Sequence, residues 1–118
     1  DALRKNRERI KPGDIVIIRC TKKKWSDGGF LDVKAFDVAA ARFLVDHNIR
    51  GVGVDLITVD ILADKRRPVH MELLGNNIPI IEGLNDLDQL VGTRFELIAL
   101  PLRIVGASGS PIRAIGRI

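Results

Sequence analysis

One histidine and one glutamate are placed where they could support metal chemistry. His70 follows a charged loop and leads a short predicted helix, and Glu82 comes twelve residues later, directly after the apolar segment 78–81. A carboxylate at the end of a buried strand is costly unless it is paired or binds a cation. Imidazole and carboxylate both ligate divalent metals, so His70 and Glu82 are candidates for half of a metal site. A surface histidine and a glutamate with a capping role remain the alternative interpretation.

The other candidate residues give weaker signals. His47 lies at the end of a predicted amphipathic helix, and a structural role is expected for it. Asp55 and Asp60 bracket the end of the second predicted strand, a common place for functional groups, but turn capping is the favoured interpretation. Cys20 is the only cysteine. It follows an apolar run and is expected to pack as a small hydrophobic residue rather than to act as a catalytic thiol.

The composition is that of one globular domain. Of the 118 residues, 46% are hydrophobic and 29% are charged, which is enough apolar content for one core. The sequence has neither a membrane-length apolar run nor a signal-peptide pattern, and one thiol suits a reducing compartment. A cytoplasmic location and no membrane partner are therefore predicted. The net charge of +4 could reflect nucleic-acid binding, but aromatic residues make up only 4%, so nucleic acid is not predicted as a partner.

Short apolar segments that alternate with helical patterns predict an α/β fold. Strands are predicted at residues 15–19, 49–54, 78–81 and 95–100, further apolar segments at 104–105 and 112–115, and helices at 1–10, from Asp32 to about His47, at 69–74 and in a short turn at 86–90. In the second helix, Phe36, Ala39, Ala40, Phe43 and Leu44 are predicted to share the buried face. The later strands have no helices between them, so part of the sheet is predicted to be mixed or antiparallel.

Four stretches carry a family resemblance. They read IKPGDIVIIR at residues 10–19, GVGVD at 51–55 followed by Val59-Asp60, His70 with LLG at 73–75 and IPIIE at 78–82, and FELIALPL at 95–102 with Gly109-Ser110-Pro111. Together, and in this order, they resemble the cyclase family of metal-dependent hydrolases that includes bacterial kynurenine formamidase and isatin hydrolase.

This resemblance implies a swivelling β/β/α fold with a mixed sheet and a divalent metal, zinc or manganese. It implies that His70 and Glu82 are metal ligands, with His70 either a ligand or a catalytic proton-transfer partner. The family's other ligands lie in an HxGTHxD-type stretch upstream of the matched region, and these 118 residues contain none. The family's loop after the second strand commonly reads Asp-Thr-Pro-Ser. Residues 55–58 read Asp-Leu-Ile-Thr, so the resemblance does not extend to substrate identity.

The expected domain organisation follows from this resemblance. Residues 1–118 would form the C-terminal part of one cyclase-family domain, incomplete without its upstream segment. The expected function is hydrolysis of a formamide, a cyclic amide or a related carbonyl C–N bond by metal-activated water, with this chain inactive alone. The alternative is a non-catalytic binding or assembly module of the same fold that has lost its metal site. The expected partners are a small-molecule substrate, the upstream segment and further copies in a homo-oligomer.

Overall fold

The computed structural model describes Lys5 and residues 9–22, 26–27 and 36–118. Most of the predicted helix 1–10, and the predicted helix start at Asp32, lie outside the described residues. The elements are β1 (Ile15–Ile18), α1 (Val38–Asp46), β2 (Gly51–Val54), α2 (Pro68–Gly75), β3 (Ile80–Ile81), a 3₁₀ helix (Leu87–Leu90), β4 (Glu96–Pro101) and β5 (Ile112–Arg117). They divide into two compact units, Asp1–Asn85 and Asp86–Ile118, here named the parallel-sheet unit and the hairpin unit.

The parallel-sheet unit is built on three parallel strands in the order β1-β2-β3. The central strand reads Gly-Val-Gly-Val, and all four of its residues are buried. Side chains alternate between the two faces of a strand, so Val52 and Val54 enter the core while the glycines face the other side. A Cβ atom on Gly53 would lie 2.5 Å from Cδ1 of Ile17, so only glycine lets the neighbouring side chains cross here. Strand β3 begins just after Pro79 and pairs only with β2 among the described strands, as its proline predicts.

Helix α1 begins later than the sequence pattern predicted. The side chain of Asp37 accepts a hydrogen bond from the backbone N–H of Ala40 at 2.6 Å and so caps the helix. Phe36 lies outside the helix, and its backbone N–H donates a hydrogen bond to the carbonyl of Val59 at 3.0 Å. Phe36 and Asp37 are not helical, so the prediction of one continuous helix from Asp32 to about His47 is wrong at these two residues.

The predicted buried face of α1 is confirmed in part. Leu44 is fully buried, and Phe36 and Phe43 pack against the core. Ala39 is exposed, contrary to the prediction, and Ala41, which the prediction did not include, is fully buried. The core cluster draws on both helices, β2 and the segments around them: Ala41, Leu44, Ile49, Val52, Val54, Leu56, Val59, Val69, Leu73 and Ile78. No helix in the described part of the chain is long and apolar enough to cross a membrane.

The hairpin unit pairs β4 with β5 in antiparallel register, from Glu96 opposite Arg117 to Pro101 opposite Ile112. Alternation along the strands leaves Ile98, Leu100 and Ile115 exposed on one face. The predicted α/β class is confirmed, and both parallel and antiparallel pairing occur. In the described residues the two kinds of pairing lie in separate sheets. The predicted apolar segment 104–105 is not a strand, and its Val105 is 96% exposed.

Candidate metal centre

The carboxyl ends of parallel strands meet at one edge of a sheet, and the candidate residues follow two of these ends. Asp55 comes directly after β2 and is 8% exposed. Its two carboxylate oxygens accept the backbone N–H groups of Cys20 at 2.7 Å and of Thr21 at 3.2 Å. Asp55 therefore ties the segment that leaves β1 to the end of β2, which is the structural capping role favoured from the sequence.

Asp60 caps helix α2 although the two are not adjacent in the sequence. Its Oδ1 accepts the backbone N–H of Val69 at 2.8 Å, and its Oδ2 accepts the backbone N–H of His70 at 3.1 Å. The residue before the helix, Arg67, makes no side-chain cap, and Pro68 has no N–H to satisfy. Asp60, which is 2% exposed, thus supplies the acceptors that a local cap would otherwise provide.

The same carboxylate orients the ring of His70. Nδ1 of His70 lies 2.7 Å from Oδ2 of Asp60. Because α2 begins at Pro68, the ring stands at the first turn of the helix, and its side chain is 26% exposed. The second ring nitrogen, Nε2, lies 3.5 Å from Oε1 of Glu82. The structure therefore brings His70 and Glu82 together, as predicted, and adds Asp60 behind the imidazole.

Glu82 is held from two directions. It follows β3, and its Oε1 accepts the backbone N–H of Val59 at 2.8 Å. The next residue, Gly83, adopts φ 69°, which glycine tolerates, and its N–H donates to the carbonyl of Leu56 at 2.8 Å. The Glu82 side chain remains 30% exposed, so it can be reached from solvent while its position is fixed.

The electrostatics of this group favour a cation. Burial raises the pKa of Asp60, but hydrogen bonds from the Val69 backbone and from the side chain and backbone of His70 outweigh it and hold this pKa below its usual value. With the carboxylate of Glu82, the group carries two formal negative charges beside one imidazole. The N-terminus of α2 offsets only part of this charge. An added cation near Nε2 of His70 would therefore be stabilised.

The distance between the two donor atoms suits a shared metal. Two ligands that bind one tetrahedral metal at about 2.0–2.2 Å lie about 3.3–3.6 Å apart. The observed 3.5 Å between Nε2 of His70 and Oε1 of Glu82 falls in this range, whereas it exceeds the usual length of a hydrogen bond. The carboxylate behind the imidazole matches the partner that metal-binding histidines commonly have. No group of three or more His, Cys, Asp or Glu side chains that could hold a metal occurs among the described residues.

Two other candidates have structural environments. Nδ1 of His47 lies 2.7 Å from the carbonyl oxygen of Phe43, and the two rings are 4.0 Å apart between centroids. Cys20 is exposed rather than packed in the core, contrary to the prediction. Desolvation of the sulfur, followed by the charge and hydrogen bond of Asp55, raises the thiol pKa to about 12. Cys20 is therefore protonated at neutral pH and is a poor nucleophile.

Sequence interpretation missed the link between Asp60 and His70. The usable signal was the helix start itself, because Arg67-Pro68 offers none of the Ser, Thr, Asp or Asn side chains that normally cap a helix. A helix without a local cap needs an acceptor from elsewhere, and Asp60 is the nearest preceding carboxylate after Asp64, which bonds Arg66 instead. No pattern in the sequence would have predicted that the ring of His70 shares this acceptor.

Comparison with known proteins agrees with the fold and its order of elements. The Cyclase family, described as "Putative cyclase", matches residues 1–61, more than half of the chain. The kynurenine formamidase of Bacillus mycoides (strain KBAB4) is 46% identical over 81 residues, which are 69% of this chain and 37% of the relative.

Solved structures extend the similarity to nearly the whole chain. A "predicted metal-dependent hydrolase" from Bacillus stearothermophilus is 31% identical, with a TM-score of 0.66 over 91% of this chain and 51% of the other. Isatin hydrolase A from Ralstonia solanacearum is 29% identical, with a TM-score of 0.75 over 98% of this chain and 49% of the other. The chain thus spans about half the length of these solved structures and 37% of the curated relative. By its matched sequence and its fold, this chain belongs to the cyclase family.

Proposed function

We propose that this chain supplies part of the divalent metal site of a hydrolase, with His70 and Glu82 as two of the ligands. The observation that supports this most directly is the convergence of Nε2 of His70 and Oε1 of Glu82 at 3.5 Å. Both atoms are lone-pair donors when the imidazole is neutral, and two such donors repel each other unless a proton or a cation lies between them. Imidazole suits zinc and carboxylate suits manganese, so either metal is compatible with this pair.

Each residue has a defined role in this proposal. When bound, a divalent metal lowers the pKa of a coordinated water and polarises a substrate carbonyl. Glu82 provides a negative charge at a position fixed by the N–H of Val59. His70 has one ring nitrogen committed to Asp60, so its Nε2 is either a ligand or the site of a proton transfer, and not both at once.

The proposed substrate class follows the names of the relatives. The Bacillus mycoides relative is a kynurenine formamidase, and the Ralstonia solanacearum protein is an isatin hydrolase. For this chain we propose hydrolysis of a formamide, a cyclic amide or a related carbonyl C–N bond. Residues 55–58 read Asp-Leu-Ile-Thr, and Ile57 is 39% exposed within this loop beside the site. We therefore propose the class of bond and not a kynurenine-type substrate in particular.

The proposed site needs more ligands than the described residues offer. A catalytic zinc normally takes three protein ligands and a water. In the described ranges no group of three His, Cys, Asp or Glu side chains is placed so that it could hold a metal ion. The proposal is therefore that residues 1–118 form the C-terminal part of one domain, that further ligands come from an upstream segment of the same protein, and that this chain alone is inactive.

Two broader properties are part of the same proposal. A homo-oligomer is favoured because the hairpin unit exposes large apolar side chains, among them Leu100 at 73%. A cytoplasmic location is favoured because the sequence has one cysteine and no disulfide partner for it. Light scattering of the protein at micromolar concentration tests the first property, and a monomer mass would overturn it.

The direct test is an activity assay that compares this chain alone with this chain plus the upstream segment. Formylkynurenine and simple formanilides are offered with zinc or manganese to this chain alone, and to this chain mixed with the upstream segment. We expect activity only in the mixture. Glu82→Gln and His70→Gln should each lower it by at least about 100-fold, since loss of an outer partner alone costs about 10–100-fold.

Matched variants make this assay specific. Glu72→Gln removes a carboxylate on the same helix that pairs with Arg42 at 3.4 Å, and His47→Gln removes the other histidine. Both should retain activity. Activity of the chain alone, abolished by Glu82→Gln, would show that the site is complete here and overturn the division of ligands. A folded mixture that neither binds metal nor hydrolyses these substrates would favour the non-catalytic module.

A further inference from the structure

The surroundings of Asp60 constrain which nitrogen of His70 carries the proton. Three donors converge on this carboxylate: the backbone N–H of Val69 on Oδ1, and the backbone N–H and Nδ1 of His70 on Oδ2. An ionised carboxylate only accepts hydrogen bonds. Nδ1 at 2.7 Å must therefore be the protonated nitrogen. We propose that Asp60 is a positioning residue that fixes His70 as the Nδ1–H tautomer and directs the lone pair of Nε2 at Glu82.

Asparagine at position 60 could not do the same. Its amide would place an NH₂ group where one of the two carboxylate oxygens now stands. With the NH₂ on the Oδ1 side, it would oppose the N–H of Val69, 2.8 Å away. With the NH₂ on the Oδ2 side, it would oppose the backbone N–H of His70, 3.1 Å away, and would donate to Nδ1 of the ring, which would move the ring proton to Nε2. The hydrogen on Nε2 would then point at Glu82 in place of the lone pair.

Asp60 couples the ring to the helix end as well. Met71 donates its N–H to the carbonyl of Arg67 at 2.9 Å, and Pro68 has no N–H, so Asp60 receives the two remaining donors of the first turn. The ring and the backbone of His70 share one acceptor oxygen. The helix cannot move away from Asp60 without also turning the imidazole.

The adjacent residue fixes the other half of the pair. The backbone N–H of Val59 holds Oε1 of Glu82 at 2.8 Å, and the carboxylate of Asp60 holds His70. Two successive residues, both buried, therefore set the spacing between the two candidate ligands. The effect on metal binding rests on the proposed function, whereas the tautomer of His70 is a property of the metal-free chain.

The tautomer can be read directly by NMR. A long-range ¹H–¹⁵N spectrum of the ¹⁵N-labelled, metal-free chain, at a pH where the imidazoles are neutral, distinguishes a protonated Nδ1 from a protonated Nε2. We expect Nδ1–H for His70 in the wild type and a shift toward Nε2–H in Asp60→Ala, in which Nδ1 loses its acceptor and Nε2–H can face Glu82. His47 is an internal control, since its Nδ1 faces a carbonyl oxygen at 2.7 Å and should stay protonated in both proteins. Asp64→Asn, which changes an aspartate of the same loop, should leave His70 unchanged.

The outcomes separate this inference from the proposed function. A wild-type His70 protonated on Nε2 would overturn the inference even if Asp60→Ala failed to fold. An unchanged tautomer in a folded Asp60→Ala would also overturn it. A zinc titration of the mixture with the upstream segment tests the rest, and there Asp60→Asn should weaken affinity about 10–100-fold. Absence of zinc binding by the wild type, with Nδ1–H confirmed, would overturn the proposed function and leave the positioning role of Asp60 standing.

Discussion

The parallel-sheet unit and the hairpin unit bury their apolar residues to very different degrees. In the parallel-sheet unit, Leu44 and Leu73 are completely buried. In the hairpin unit, which is described throughout, Leu87 is the only buried apolar residue, whereas Leu100 is 73% and Val105 96% exposed. Both units are rich in Leu, Ile and Val, so composition does not explain the difference.

The connections between strands explain it. Parallel strands require crossover connections, and here these contain α1 and α2, whose apolar residues join the core with β2. The antiparallel strands β4 and β5 are joined by residues 102–111, which contain no helix to cover a face. A two-stranded hairpin alone is marginally stable in water. All three residues of the candidate site, Asp60, His70 and Glu82, lie in the parallel-sheet unit, where packing can hold side chains in place.

The largest expected effect compares one substitution at two leucines. Leu44→Ala removes a side chain with no exposed surface and should lower the free energy of unfolding by about 2–5 kcal/mol. Leu100→Ala, at a side chain that is 73% exposed in a single copy of the chain, should change it by no more than about 0.5 kcal/mol at protein concentrations where the chain is monomeric. Urea denaturation followed by circular dichroism measures both values.

The Leu100 variant is the more informative of the two. If Leu100→Ala cost as much as Leu44→Ala, the exposed face of the hairpin would have to be covered in solution, by another copy or by another segment. Repeating the measurement over a range of protein concentrations separates these cases, since only association makes the midpoint depend on concentration.

The next effect concerns the carboxylate that positions the site. Asp60→Ala leaves the N–H groups of Val69 and His70 and the Nδ1 of His70 without their acceptor. A buried donor left unsatisfied costs about 1–3 kcal/mol, and water can reach part of this site, so we expect a total loss of about 2–4 kcal/mol. The matched control is Asp64→Ala, which breaks the surface ion pair with Arg66 and should cost much less than Asp60→Ala. Equal losses in the two variants would contradict a special role of Asp60.

Asp60 should also shape the acid stability of the parallel-sheet unit. Its folded pKa lies below the unfolded value of about 3.9, because hydrogen bonds to Val69 and His70 outweigh the effect of burial. A carboxyl group with a depressed folded pKa stabilises the fold above its unfolded pKa, and this stability is lost as the pH falls through the folded pKa. The free energy of unfolding of the wild type should therefore fall below about pH 4.

A substitution that cannot titrate isolates this contribution. Asp60→Asn should be less stable at neutral pH and should show a flatter decline in acid, so that the two curves approach each other at low pH. Curves of Asp60→Asn and wild type that stay parallel into acid would contradict the assignment.

Much of this fold was predictable because the pattern of apolar residues reports burial. The strand order along the chain, the short helix that contains His70 and the break after Gly75 follow from hydrophobic runs and turn residues. The start of α1 at Val38 did not follow from the pattern. The break before it includes Phe36, whose N–H donates to the carbonyl of Val59, a residue distant in the sequence.

The candidate site was predictable to a similar extent. A carboxylate directly after a buried strand singled out Glu82, and the strand end placed it at the functional edge of the sheet. The residue that organises the pair, Asp60, was assigned to turn capping, which describes only its bonds to the helix backbone. Its bond to the ring of His70 depends on how α2 packs, and that packing is decided by the tertiary core and not by any local pattern.

The smallest expected effect compares a glycine in each unit. A Cβ at Gly53 in β2 would lie 2.5 Å from Cδ1 of Ile17 and 2.8 Å from Cδ1 of Leu84, so both side chains must shift. A Cβ at Gly116 in β5 would lie 3.0 Å from Cδ1 of Leu90 and 3.2 Å from Cδ2 of Phe95, so its neighbours need to shift less than those of Gly53. Replacing glycine also removes freedom from the unfolded chain, which stabilises by about 0.4–1 kcal/mol.

The balance of these terms should differ between the units. For Gly53→Ala, crowding on a packed central strand should exceed the entropic gain and leave a net loss of about 1–2 kcal/mol. For Gly116→Ala, the two terms should nearly cancel, because the end of Leu90 can yield where the hairpin is less tightly packed. Urea midpoints of the two variants measure the contrast. If Gly116→Ala lowered the free energy of unfolding as much as Gly53→Ala does, β5 would be packed as rigidly as β2. The two units would then differ in the exposure of their apolar side chains and not in rigidity.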